Sequence, residues 1–506
     1  MNQITQKPFF ETLPVAQPII FVVENDTIVQ NESLVRFICE VYVSQDYVNV
    51  ANSSNLIATL KTTPNNAGVG MFDVRPILES SVSPDHLATN EVINTTYDTA
   101  STYKGTAFDD NSTAASPYYF PIHIQDKFSL SVNSTRWFRL KFKIEYLGAD
   151  SNYPNNVLVD ENENRSSETY YMFNGVVSNE ETLYKLANSW NYGLFLENLS
   201  AFDYSAGIIQ DVNTARFLSN APLTQYARYE DYGTIATFSM LNSSSRYSFT
   251  TGATSDHNVN VQMIAYDSSG SALFTENISN QVTVSGVHSG GAGGYEQPYS
   301  YGNMVFCGAY PGNFKNWSAN WTANEANISY YTLQGNTDSG FKCTALYTVH
   351  IICANSFGYE GIRLTWLNKY GAWDYYTFNK KSTRSITSKK NSYTQLGGSW
   401  NESVYKPNGY RGGKKNFRSS TTEKIKLNTD YLTDSESTWI MELIESPEVY
   451  IVNGFQQGDA FGILNKYVEP VLVTTSNFVK KTKANDRLIQ YTIDIERNKQ
   501  QRIQAI

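Results

Sequence analysis

Strict alternation of apolar and polar positions is the clearest periodic signal along the chain. In LVRFICEVYV, Val35, Phe37, Cys39, Val41 and Val43 fall on one side of an extended backbone, whose side chains point to opposite faces in turn. WFRLKFKIEY repeats the pattern, with Phe138, Leu140, Phe142, Ile144 and Tyr146 directed to a core and Arg139, Lys141, Lys143 and Glu145 to water. That is how a half-solvated antiparallel strand reads. Between these runs, TTPNNAGVGMFDVRPILES offers a Pro-Asn turn, two glycines and an apolar stretch that predicts a helical turn at Pro76 to Glu79. Residues 1–150 therefore predict an immunoglobulin- or fibronectin-like β-sandwich, with the polar stretch 85–120 as an excursion.

Further strands are predicted at TYYMFNGVV, YGTIATFSML, NVQMIAYD and NQVTVSG, giving a second β domain over residues 151–289. The glycine-rich string GVHSGGAGGYEQP marks a joint near Gly290. Beyond it, residues 290–506 carry YTVHIICAN, IRLTWLNKYG and WDYYTF as strands. One short helix follows, in which Thr433 and Glu436 form a capping box, Trp439, Ile440, Leu443 and Ile444 an apolar stripe, and Pro447 the stop. VEPVLVTTSNFV and RLIQYTIDIERN return to strands. The expectation is a mainly β fold: tandem sandwiches, then a β-rich C-terminal α+β domain. No repeat of fixed period is present, which argues against a solenoid or propeller.

Composition sharpens this picture. With 506 residues the chain exceeds what one hydrophobic core supports. Its 36 Tyr and 26 Phe suit pleated, half-buried surfaces, while charged residues reach only 17%, against about 25% in ordinary soluble domains. Such a surface favours contact over solvation. The four cysteines, Cys39, Cys307, Cys343 and Cys353, are too few for a disulfide scaffold and are expected as free thiols. No secretory leader is recognisable at the N-terminus, and no window approaches the roughly 18 apolar residues of a membrane span. Assembly in a cytoplasm without membrane insertion is the expectation. Charge is uneven: residues 361–506 hold 22 basic and 14 acidic groups, a net of +8, and the remainder holds 17 and 34, a net of −17. An acidic body with a basic C-terminal part suits directional association.

Candidate chemistry is sparse. The five histidines are scattered, no Cys-x-x-Cys occurs, GYRGGKKN lacks Walker spacing, and no Gly-x-Ser-x-Gly elbow exists. No catalytic residue, cofactor or metal ligand is expected. His350 near Cys353 reads as a core or edge histidine. Asp160 to Asn164 resembles the opening of a calcium loop, but Arg165 stands where glycine is needed and Tyr171 where a bidentate Glu is needed, so a solvated acidic loop is expected. Asp109 and Asp110 read as another acidic loop. Trp317 and Trp321, four apart in a presumed strand, would share one face and suit sugar stacking or core packing equally. The conspicuous feature is the set of basic clusters Lys380, Lys381, Arg384, Lys389 and Lys390, then Arg411, Lys414, Lys415 and Arg418, then Lys480 and Lys481, interleaved with Tyr393, Tyr410 and Phe417. Nucleic acid could use such a pattern. Placement of most clusters in Gly- and Ser-rich loops, on an acidic body, favours instead a protein-facing assembly surface.

The blocks QPIIFVV…LVRFICEVYV…LKTTPNNAGVGMFDVRPILE, IRLTWLNKYGAWDYYTFNKKS and TWIMELIESPEVYIV…EPVLVTTSNFVKKTK…LIQYTIDIE resemble those of virion structural proteins of tailed bacteriophages, especially tail and baseplate proteins of phages infecting Bacteroidota. The resemblance spans about half the chain. It implies a non-enzymatic protein of the virion tail that forms a ring or sleeve with copies of itself and with other phage tail proteins. The alternative is an adhesin displayed on the particle, binding a host surface glycan or receptor.

Overall fold

The computed structural model describes residues 1–8, 12–45, 49–89, 119–125, 128–176, 202–203, 208–209, 216–239, 258–279, 303–337, 342, 344–352, 358–399, 402–407, 410, 412–453, 467–475 and 489–497. The fold is mainly β, with several antiparallel sheets and a few short helices. Two compact units are present: Met1–Ile352, Leu367–Asp374 and Gly454–Phe461 form one, and Cys353–Trp366, Tyr375–Asn453 and Gly462–Ile506 the other.

Within the first unit, the alternating runs build a two-sheet sandwich. Strand Thr135–Leu147 lies between Arg36–Ser44 and Arg165–Phe173, antiparallel to both, and Leu56–Thr62 forms the edge beyond Arg36–Ser44. Asp150 sits in the turn leading to the next strands of this same sheet, which runs on to Phe173. Facing it is a smaller sheet of Gln3–Gln6, Ile20–Glu24 and Val69–Asp73. The alternation meets its expected core: Phe37, Cys39, Val41, Phe138, Leu140, Phe142 and Ile144 are fully buried against Phe21, Val23 and Phe72 of the opposite sheet. Phe21 meets Tyr170 edge to face at 5.6 Å, an arrangement that adds to simple area burial. The helical turn is found at Arg75–Glu79, with proline in its first turn, where a missing N–H costs nothing.

The same unit contains a five-stranded sheet ordered Thr224–Ala227, Tyr347–Ile351, Tyr330–Thr337, Asn258–Tyr266 and Ala272–Ser279. A three-stranded sheet joins Thr234–Ser239, Asn303–Gly308 and Phe128–Leu130. The predicted strand NQVTVSG and the joint at Gly290 lie outside the described residues. One expectation fails here. Trp317 and Trp321 are not strand neighbours, because Pro311–Trp317 and Ala319–Asn324 are helices, the second capped by the Ser318 hydroxyl accepting from the Trp321 N–H. Trp321 is fully buried against Phe314 at 5.0 Å and Tyr331 at 5.4 Å, so it is core and no stacking platform exists at this pair.

Leu367–Asp374 joins this unit through tight contacts. The Trp373 indole donates to the Asp85 carbonyl at 2.8 Å, and the Asn368 amide donates to the Leu218 carbonyl at 2.8 Å. Gly371 has φ +76°, and a Cβ there would stand 2.0 Å from the Asn174 carbonyl oxygen. Only glycine meets both requirements.

The second unit is built on a seven-stranded sheet in the order Trp373–Phe378, Ile362–Leu367, Val449–Val452, Val468–Val473, Thr492–Arg497, Gly413–Asn428 and Thr383–Gln395. The predicted helix runs over Asp434–Glu445 with its capping box formed: the Thr433 N–H donates to Glu436 Oε2 at 2.7 Å, and the Glu436 N–H to the Thr433 hydroxyl. Trp439, Ile440 and Leu443 are buried, and Trp439 packs at 5.2 Å from Trp366 on the sheet.

Candidate assembly surface

The last two strands of the seven-stranded sheet carry most of the predicted basic residues. Thr383–Gln395 pairs along its whole length with Gly413–Asn428. Gly413–Asn428 pairs with Thr492–Arg497 only from Lys424 to Asn428. From Thr387 to Gln395, and over Gly413–Thr422 opposite, the hairpin is a two-stranded ribbon, exposed on both faces over Gly413–Ser420, and no third strand pairs with it among the described residues. Nine residues at about 3.3 Å each make it roughly 30 Å long. Lys389, Lys390, Lys414, Lys415 and Arg418 therefore sit on regular strands, which corrects the expectation of Gly- and Ser-rich loops. Thr, Ser and Tyr sustain the extended backbone, and a bulge at Phe417 between the Asn391–Arg418 and Ser392–Asn416 pairs adds local twist.

Register sorts the side chains. Lys389, Asn391 and Tyr393 alternate onto one face together with their partners Ser420, Arg418 and Lys415, and Phe417 meets Tyr393 edge to face at 6.5 Å. Lys390 and Lys414 lie on the opposite face with Ile386. Lys389, Lys390, Lys414 and Arg418 make no ion pair among the described residues, whereas Lys415 donates to Gln395 Oε1 at 2.7 Å. Apolar groups are exposed alongside these cations: Ile386 is 66% exposed and Phe417 50%, and Tyr393, Leu396, Val404, Tyr405 and Tyr410 stand open as well. Sequence reasoning identified Tyr393, Tyr410 and Phe417 but missed Ile386, Leu396, Val404 and Tyr405. Their only signal is an apolar residue within a run otherwise lacking a core face.

At the base of the ribbon most of the remaining basic residues are engaged within the chain. Lys380 pairs with Asp430 at 3.0 Å, and the Lys381 carbonyl accepts from Asn428 Nδ2 at 2.7 Å. Arg384 holds Glu360 at 2.7 Å and reaches Glu423 at 3.5 Å. Glu423 in turn accepts from Arg497 Nη1 at 3.1 Å, while Arg497 Nε and Nη2 fork onto Glu469 at 2.9 and 2.6 Å. Charges thus alternate across four adjacent strands where the ribbon leaves the sheet. Burial opposes the Arg497 charge, but the hydrogen bond to Glu469 outweighs it and raises the guanidinium pKa. Lys380 and Arg384 are thus engaged in ion pairs, whereas the Lys381 side chain is exposed and makes no ion pair among the described residues. Arg411, Lys480 and Lys481 lie outside the described residues.

The other candidates resolve as structure. His350, on Tyr347–Ile351, stacks on Tyr226 at 5.6 Å and meets the tilted ring of Tyr330 at 5.5 Å, the environment of a packed strand histidine; Cys353 lies outside the described residues. The would-be calcium loop is a short 3-10 turn in which carboxylates serve protein donors. Asp160 accepts from Tyr146 Oη at 2.7 Å and from the Asn162 N–H, and Glu163 accepts from Asn25 Nδ2 at 2.7 Å. Asp109 and Asp110 lie outside the described residues. Among the described residues no group of three or more His, Cys, Asp or Glu is placed to hold a metal ion. Cys39 and Cys307 are buried free thiols whose pKa values burial raises, so neither is poised as a thiolate. No helix among the described residues is long and apolar enough to cross a membrane. No protein-family model matches the chain, and no curated protein is significantly similar to it.

Proposed function

We propose that this chain is a non-enzymatic structural protein of a bacteriophage virion, part of the tail or baseplate, which assembles in the host cytoplasm with copies of itself and with neighbouring tail proteins into a ring or sleeve. One observation carries the reading: a ribbon about 30 Å long whose cations and aromatic side chains have no core of their own. A two-stranded hairpin alone in water is marginally stable, so a ribbon of this length acquires its full order against a partner. Sparse charge and abundant tyrosine elsewhere suit the same role, since interfaces enrich Tyr and Arg and deplete Glu and Asp. The resemblance to tail and baseplate proteins supports the setting.

Size-exclusion chromatography with light scattering, and localisation of the chain in intact particles by electron microscopy, test this. The expected result is a defined oligomer in solution and density for the chain in the tail. A stable monomer that is absent from particles would end the proposal. Tyr405 and Tyr410, exposed beyond the strands of the ribbon, favour one second reading, an adhesin that stacks on host glycans. Saturable binding of the isolated protein on a glycan array, without assembly, would favour it.

A further inference from the structure

We infer that the ribbon is a heterologous clasp whose occupant is the acidic residue 1–360 region of a second copy of this chain. The inference rests on the assembly reading above and goes beyond it by naming the partner surface and the symmetry of the contact.

Charge placement selects the occupant. Residues 383–428, the ribbon with its base in the sheet and its connecting segment, contain ten basic and two acidic residues, a net of +8. The rest of residues 361–506 contains twelve of each and is neutral, while residues 1–360 contain 17 basic and 34 acidic residues. All the positive excess of residues 361–506 therefore falls within residues 383–428, and all the negative excess of the chain lies in residues 1–360. Lys389, Lys390, Lys414 and Arg418 are exposed on the ribbon without an ion-pair partner among the described residues. Two ribbons placed together would oppose like charges, which excludes a self-complementary ribbon-to-ribbon contact. Ribbon onto acidic body is the attractive pairing, and it uses different patches on the two copies. Such a contact repeats head to tail and closes into a ring when the rotation permits. The uncovered Ile386, Tyr393 and Phe417 give the apolar and aromatic contact that charge alone does not, and they favour a protein surface over a phosphate backbone.

The test uses the full chain and the variant Lys389→Glu/Lys390→Glu/Lys414→Glu/Arg418→Glu, checked for an unchanged circular dichroism spectrum. Sedimentation velocity at about 0.05 M and 0.5 M NaCl spans a Debye length falling from roughly 14 to 4 Å. The natural chain should self-associate at low salt and weaken at least tenfold at high salt, and the variant should associate about a hundredfold more weakly. Added below stoichiometry, the variant should shorten assemblies of the natural chain, because its acidic body still receives a ribbon while its own ribbon passes nothing on. If the variant assembles like the natural chain, the clasp is wrong and the assembly reading stands. If it neither joins nor shortens natural assemblies, the head-to-tail symmetry is wrong. Tight binding of the natural chain to a fluorescent 30-base-pair DNA duplex, lost in the variant, would make nucleic acid the occupant and overturn the inference. A natural chain that is monomeric at both salts overturns it as well, and absence from particles would then remove the assembly reading too.

Discussion

Replacing Arg497 with methionine should loosen the root of the ribbon far more than replacing Arg384, although both side chains sit in the same ladder of charges. The Glu469 carboxylate is 3% exposed and takes two hydrogen bonds from the Arg497 guanidinium, at 2.9 and 2.6 Å. Without Arg497 that carboxylate loses both hydrogen bonds and the guanidinium charge beside it. Removing one member of a buried ion pair costs about 3–5 kcal/mol. Arg497 itself remains 17% exposed, so water can reach part of the vacated space, and about 2–3 kcal/mol is the expected loss. For a unit of this size that corresponds to a fall of about 5–10 °C in Tm. Arg384 is 42% exposed and pairs with the still more exposed Glu360, so Arg384→Met should cost under about 1 kcal/mol. Urea unfolding followed by tryptophan fluorescence reads the difference, since Trp366 and Trp439 lie in the same unit as the ladder. Arg497→Lys should recover only part of the loss, because an ammonium keeps the charge without the fork. If Arg497→Met were no more costly than Arg384→Met, the view of the ladder as the ribbon's anchor would be wrong.

Three further outcomes are expected. Thr433→Ala should lower stability by about 1 kcal/mol through loss of the capping box, while Thr433→Ser should be nearly neutral; denaturant midpoints decide it. Burial works to raise the Glu40 pKa, but hydrogen bonds from Lys143 and Tyr42 and the charges of Lys143 and Lys141 outweigh it and hold the carboxyl below its ordinary 4.5. Its stabilisation is therefore present above that value and lost as pH falls through the lowered one, so the stability gap between the natural chain and Glu40→Gln should close under acid; a gap that widens there would contradict the assignment. Cys39 and Cys307 should resist iodoacetamide at mildly alkaline pH in the folded protein and label after unfolding, as peptide mass spectrometry would show; rapid native labelling of either would contradict their burial.

Where a segment has one wet face and one dry face, its sequence displayed it. The runs ending at Val43 and Tyr146 were legible because burial on one side forces alternation, and the Asp434–Glu445 helix because its cap and stripe are local. The ribbon was hidden for the opposite reason: TRSITSKKNSYTQ is wet on both faces, so no period-two pattern arises and Lys, Ser and Asn suggest a loop. The basic residues of this stretch are visible in the sequence, but their division into paired Arg384 and open Lys389 depends on Glu360 and Glu423, whose proximity only the fold establishes. The helices at 311–324 escaped because they are short and rich in Asn, and are held by distant partners; the Asn313 amide donates to the His123 carbonyl, 190 residues away in the chain.

The segment Leu367–Asp374 carries a consequence for synthesis. Trp373 donates to the Asp85 carbonyl across 288 positions, and Gly371 sits so close to Asn174 that no other residue could take its place. A ribosome adding about 5–20 residues per second makes the sandwich strands through Phe173 and then takes roughly 10–40 s to reach residue 373. During that interval the nascent N-terminal portion exists with one of its own pieces not yet made. Its consolidation is therefore timed by translation, and a chain interrupted anywhere before residue 367 would release a body permanently lacking that piece.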